Sequence, residues 1–128
     1  MSGYLDRPDY IIDVRRRRNR VTVTVLGGDH ELAETRAALV VDEQDHGIVF
    51  YIPRGDVRTE LLEPHAATSR CPFKGVAAYW RLAGGDEPVA WEYAEPAPEV
   101  ALISDHLAFY QDRVRLTVGV ADPAVVGR

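Results

Sequence analysis

In Val21-Thr22-Val23-Thr24-Val25-Leu26, β-branched apolar residues alternate with threonines. A period of two puts successive side chains on opposite faces, so the stretch reads as a strand with one buried and one solvated face. Gly27-Gly28-Asp29-His30 follows as a turn. Outward from there the pattern repeats. Residues 31–36 read as a return strand and Ala37–Asp42 as another, closed by a polar Glu43-Gln44-Asp45-His46-Gly47 turn. Ile48-Val49-Phe50-Tyr51-Ile52 is the densest β-former run, stopped by Pro53, which cannot donate to a central ladder. Asp56–His65 predicts at most a turn of helix or a bent strand, and Thr68–Gly75 an irregular stretch. Val76–Leu82 and Pro88–Ala94 read as a hairpin, Val100–Ser104 as one helical turn, and Leu107–Tyr110 with Arg113–Val118 as a final hairpin about Gln111-Asp112.

Many short strands parted by turns give an all-β fold with short helical turns, either a small barrel or two packed sheets. The 128 residues make one domain. Residues 1–19 read as a lead-in, 20–118 as the β core and 119–128 as a tail, frayed over Ala121–Arg128.

Composition narrows the function. With 46% apolar and 27% charged residues the chain can build a core and is not disordered. No apolar run approaches the roughly 20 residues that span a bilayer, and MSGYLDRPDY offers no secretory h-region, so a cytoplasmic protein without membrane partners is expected. A formal charge of −5 argues against nucleic acid as a partner. The Arg15-Arg16-Arg17-Arg18-Asn19-Arg20 run reads as a solvated edge. Oligomeric state is left open.

Lys74 is the single lysine, and it lies three residues after the single cysteine, Cys71. One cysteine excludes an internal disulfide and a multi-cysteine zinc site. With no HxH, no CxxC and no phosphate-binding glycine loop, neither a metal nor a cofactor is expected. His30, His46, His65 and His106 all read as solvated loop residues. In the second hairpin, Trp91 and Tyr93 must share a face and Glu92 must take the other. Tyr79 and Trp80 diverge, so one of them joins the Trp91/Tyr93 face. Arg54, at a strand exit, could clamp an anion or pair with Asp56 or Glu92.

Together, Tyr51-Ile52-Pro53-Arg54-Gly55-Asp56-Val57, Thr68 through Gly75, Tyr79-Trp80, Trp91-Glu92-Tyr93 with Pro96, and Phe109-Tyr110 resemble domain-of-unknown-function family 427, which also carries a nucleotidyltransferase label. The resemblance runs from about Val21 to Val118. It implies a tent-like or small-barrel β fold and a pocket lined by these motif residues. Nucleotidyl transfer needs acidic ligands for magnesium, and the motifs offer only Asp56 and Glu92. The expected function is therefore a small-molecule site joining aromatic walls to a cationic pair, suited to an anionic or planar ligand. If it is an enzyme, metal-independent isomerisation or cyclisation is the natural chemistry. Lys74, Arg54, Asp56 and Tyr93 are its catalytic candidates; Tyr51, Cys71, Tyr79, Trp80, Trp91 and Phe109 are its binding candidates. The alternative is a non-enzymatic interaction module. On this reading Lys74→Met weakens binding and leaves the fold intact.

Overall fold

A computed structural model describes residues 2–120. Ten strands form: β1 (Ile12–Arg16), β2 (Val21–Val25), β3 (Glu31–Thr35), β4 (Leu39–Glu43), β5 (Gly47–Pro53), β6 (Leu62–Cys71), β7 (Gly75–Leu82), β8 (Pro88–Glu92), β9 (His106–Phe109) and β10 (Val114–Val118). Helical structure is confined to short 3-10 turns at Gly3–Leu5, Arg54–Asp56, Thr59–Leu61 and Pro98–Ile103. All strand pairs are antiparallel. The seven-stranded sheet has the order β1-β4-β5-β9-β8-β7-β6, and the three-stranded sheet β10-β2-β3. The fold is all-β with two sheets. Neither sheet closes on itself among the described residues, so the barrel alternative is corrected to an open two-sheet arrangement. No helix there is long and apolar enough to cross a membrane. The expected tail at 121–128 lies outside the described residues.

Period two builds the layers. Val21 and Val23 of β2 are buried, as are Ile52 of β5 and Leu107 and Phe109 of β9, and these meet in the core between the two sheets. Each such large apolar side chain, fully buried, contributes roughly 1.5–3 kcal/mol. The opposite face of the large sheet carries a second core. There Leu39, Val41, Tyr51 and Ala108 pack with Val100 and Ile103 of the last 3-10 turn. The large sheet is thus covered on both faces, and β9 at its centre is buried at all four positions.

That double burial overturns the expected final hairpin. β9 pairs with β5 and β8, whereas β10 pairs with β2 in the other sheet. The continuous apolar run Leu107-Ala108-Phe109 needs both faces of its strand covered. Val114-Arg115-Leu116-Thr117-Val118 has polar residues at alternate positions and fits a sheet with one solvated face. His106 also departs from expectation, being buried in β9. Its Nδ1 donates to Ser104 O at 2.7 Å, and its Nε2 faces Arg16 Nη1 at 3.0 Å. Arginine can only donate, so Nε2 accepts and the ring is neutral. Burial, with Arg16 adding to it, pushes the imidazole below its ordinary range. The stretch from Thr68 is likewise regular as far as Cys71, where β6 ends. It lies at the sheet edge, where Pro64 can sit without breaking a ladder.

Candidate functional site

The second core does not close. Beside it lies a cavity of about 270 Å³ bordered by residues from β4, β5, β6, β7 and β8 and by the turns around them. Tyr51, Cys71, Lys74, Tyr79, Trp91 and Tyr93 all border it. Strand pairing brings them together. Tyr51 opposes Ala108, Ala108 opposes Trp91, and Trp91 opposes Tyr79, so three aromatics stand in register across four strands. The face expected for Trp91 and Tyr93 is this one, and Tyr79 rather than Trp80 joins it.

The aromatic wall is ordered by contacts within itself. Trp91 Nε1 donates to the Tyr51 hydroxyl at 3.2 Å, and the two rings meet edge to face at 6.3 Å. Tyr110 lies 4.7 Å from Trp91, and its ring is nearly parallel to that of Tyr79 at 6.5 Å. The Tyr79 hydroxyl shares a 2.6 Å hydrogen bond with Ser69.

The polar pole is Glu43. It is buried and hydrogen-bonded to Lys74 Nζ and to the Tyr10 hydroxyl. His46 faces it at 3.4 Å from the exposed rim. Burial pushes the Glu43 carboxyl up. The hydrogen bonds from Lys74 and Tyr10, with the Lys74 charge, outweigh that and hold it below its ordinary range.

Local sequence explains how Lys74 arrives there. β6 and β7 are joined by Pro72-Phe73-Lys74, and Gly75 has φ +119°, a conformation side chains rarely adopt. A Cβ at Gly75 would also lie 3.2 Å from Glu95 O, so backbone closely approaches there. Ala97 N donates to Lys74 O at 3.0 Å. From the other side Phe73 stacks on Tyr10 at 3.8 Å, and Gly3 N donates to Pro72 O at 2.7 Å. The N-terminal lead-in thus packs against this turn and delivers Tyr10 to Glu43.

Arg54, Asp56, Trp80 and Phe109 do not border the cavity. Arg54 pairs with Glu92, which also accepts from Trp80 Nε1 at 2.6 Å, and Arg54 Nε lies 3.3 Å from Asp105. Asp56 accepts from Thr35 Oγ1 at 2.7 Å. Phe109 fills the core between the sheets, with Trp80 packed against that core. The expected Arg54–Lys74 pair is therefore corrected, for the two cations lie on opposite faces of the large sheet. The counter-charge to Lys74 is Glu43, in place of the expected Asp56 or Glu92.

Tyr110, within the Phe109-Tyr110 motif, borders the cavity as the resemblance implies, whereas Glu43 and Tyr10 lie outside the residues the sequence singles out. A signal for Glu43 was present. In Leu39-Val40-Val41-Asp42-Glu43 the buried positions alternate, and the next inward position is a carboxylate. Ending the strand at Asp42 hid it.

Burial pushes the phenols of Tyr10, Tyr51 and Tyr93 above the ordinary value of 10.0. A folded value above the unfolded one leaves stability complete below pH 10 and erodes it as pH rises further, because the unfolded chain then releases protons that the fold retains. Absorbance at 295 nm during alkaline titration should show these three phenols silent while the fold holds, then ionising together as it unfolds. Their independent ionisation near pH 10 in folded protein would contradict the packing described.

A family model described as a domain of unknown function (DUF427) matches residues 13–119. The chain belongs to the DUF427 family. No curated protein matches it. Apart from Tyr10, every residue singled out at the cavity lies within the span that matches DUF427. Among the described residues no group of three or more His, Cys, Asp or Glu side chains could hold a metal ion. The cavity's buried carboxylate is already engaged by Lys74 and Tyr10. A nucleotidyltransferase's magnesium site does not fit this donor set.

Proposed function

We propose that this DUF427 protein binds a small, planar organic molecule in the cavity on the Tyr51/Trp91/Tyr93 face. The observation that carries the reading is the convergence of six singled-out side chains on one concavity. Tyr51, Cys71, Tyr79, Trp91 and Tyr93 favour a small-molecule site over an interaction module by lining one concavity, whereas Arg54 and Lys74 are held in separate ion pairs and add nothing to that preference. Aromatic walls with a few placed polar groups are the usual make-up of a small-molecule site. At about 270 Å³ the cavity falls just below the roughly 300–1,000 Å³ of sites for drug-sized ligands. A ligand of one or two rings suits it.

Binding is better supported than catalysis. Metal-independent isomerisation or cyclisation needs a base poised near the working pH. Glu43 is held below its ordinary range and Tyr93 above its own, so each is a weak base in the form that dominates near neutrality.

A thermal-shift screen of ring-containing fragments tests the reading, since a ligand at 100 times its Kd adds about 2.7 kcal/mol of stability. Hits should raise the melting temperature and perturb Trp91 fluorescence. Val49→Phe, at the cavity wall, should abolish both effects. Hits that bind Val49→Phe unchanged would place binding elsewhere and sink the proposal.

A further inference from the structure

Among the described residues, two hydroxyl protons at the cavity have no acceptor. Tyr51 is 2% exposed, and its oxygen receives the Trp91 indole N–H. Indole nitrogen only donates, so the Tyr51 oxygen is the acceptor there and its own proton is unused. Tyr93 is 7% exposed, and its hydroxyl has no hydrogen-bond partner among the described residues. That oxygen is not sealed off either, since the one fully enclosed unpartnered side-chain atom among the described residues is Thr24 Oγ1. Tyr93 itself borders the cavity. Burial keeps both phenols protonated, and a charge on Tyr51 would raise Tyr93 further, so near neutral pH both are standing donors.

The charges point the same way. Lys74 and Glu43 are both largely buried and cancel one another. Arg54 is committed to Glu92 and Asp105 on the opposite face. An entering anion would shed its water without meeting an uncommitted buried cation, and it would do so beside the Glu43 carboxylate. An uncharged acceptor gives up less hydration and meets two unspent donors. A carbonyl oxygen has two lone pairs, one for each.

Building on the small-molecule reading above, we infer that the ligand is an uncharged ring compound with a carbonyl-type oxygen. That oxygen takes the hydroxyl protons of Tyr51 and Tyr93 while the ring lies against Tyr79, Trp91 and Tyr110. Lys74 then holds Glu43 and shapes the floor, and it does not clamp an anion. This reverses the preference for anionic ligands that the sequence suggested.

Benzamide and benzoate have nearly the same shape and differ in charge, so they test the point on the full chain by calorimetric titration near neutral pH. Benzamide should bind roughly tenfold or more tightly than benzoate. Tyr93→Phe should weaken benzamide by roughly two- to twelvefold, the loss of one hydrogen bond, without lowering the melting temperature. Tyr51→Phe should weaken it similarly. Benzoate binding as tightly as benzamide would overturn the selectivity and leave the small-molecule site standing. Benzamide binding equally to wild type and both Phe variants would overturn the donor pair. If neither probe binds up to its solubility limit, the small-molecule reading falls and this inference falls with it.

Discussion

Lys74→Met is expected to lower the unfolding free energy by about 3–5 kcal/mol near neutral pH, the usual effect of removing one partner of a buried ion pair. The Lys74 side chain is 13% exposed and that of Glu43 6%. Methionine preserves most of the stem but leaves the Glu43 carboxylate buried with the Tyr10 hydroxyl as its hydrogen-bond donor and His46 3.4 Å away among the described residues. For a domain with about 5–15 kcal/mol in total, this is a large share. The pH dependence identifies the cause. In the wild type the Glu43 value is held below the unfolded one, so its contribution is present above the ordinary value of 4.5 and lost as pH falls through the folded value. In Lys74→Met the share of that lowering due to Lys74 is gone, so burial raises the carboxyl relative to the wild type. The gap between variant and wild type should then shrink on acidification, as protonation removes the stranded charge. Denaturant titrations at neutral and acidic pH measure it. Glu43→Leu/Lys74→Met should cost much less than the two single changes summed, because no charge is left unpaired. A Lys74→Met variant within about 0.5 kcal/mol of wild type at neutral pH would mean that the pair is exposed in solution.

Sequence alone led to the opposite expectation for Lys74→Met, and the reason is local. Alternation in Val21–Leu26 and Ile48–Ile52 made strands legible, because a half-buried strand writes its two faces into consecutive residues. The same arithmetic placed Trp91 with Tyr93 and set Glu92 against them. What it could not supply was pairing between distant strands. β9 and β10 are neighbours in sequence and lie in different sheets, and only the apolar continuity of Leu107-Ala108-Phe109 hints that β9 is covered twice. The β1–β4 pair likewise joins the lead-in to Leu39–Glu43, which brings Tyr10 within reach of Glu43 across 33 positions. Arg54 and Lys74 resembled each other as lone cations at strand ends. Which face each served depended on a seven-strand order that no local pattern encodes.

Arg54→Met separates the two faces experimentally. Glu92, with a side chain 12% exposed, accepts from Arg54 and from Trp80 Nε1, so removing the guanidinium leaves a mostly buried carboxylate with the indole as its one close donor. The Arg54 side chain is 35% exposed and water can partly replace it, which sets the expected loss at about 2–3 kcal/mol, below that of the deeper Lys74 pair. Arg54 also lies 5.8 Å from the Trp80 ring, and methionine retains apolar contact there while deleting the charge. Nothing in this cluster touches the Tyr51/Trp91/Tyr93 cavity, although Glu92 sits between Trp91 and Tyr93 in sequence. Arg54→Met should therefore destabilise the protein while benzamide affinity, measured well below the melting temperature, stays within about twofold of wild type. Lost affinity in a variant that is still folded would return Arg54 to the ligand site. It would mean that one strand carries the site on both faces, with Glu92 transmitting through the β8 backbone what Arg54 does on the far side.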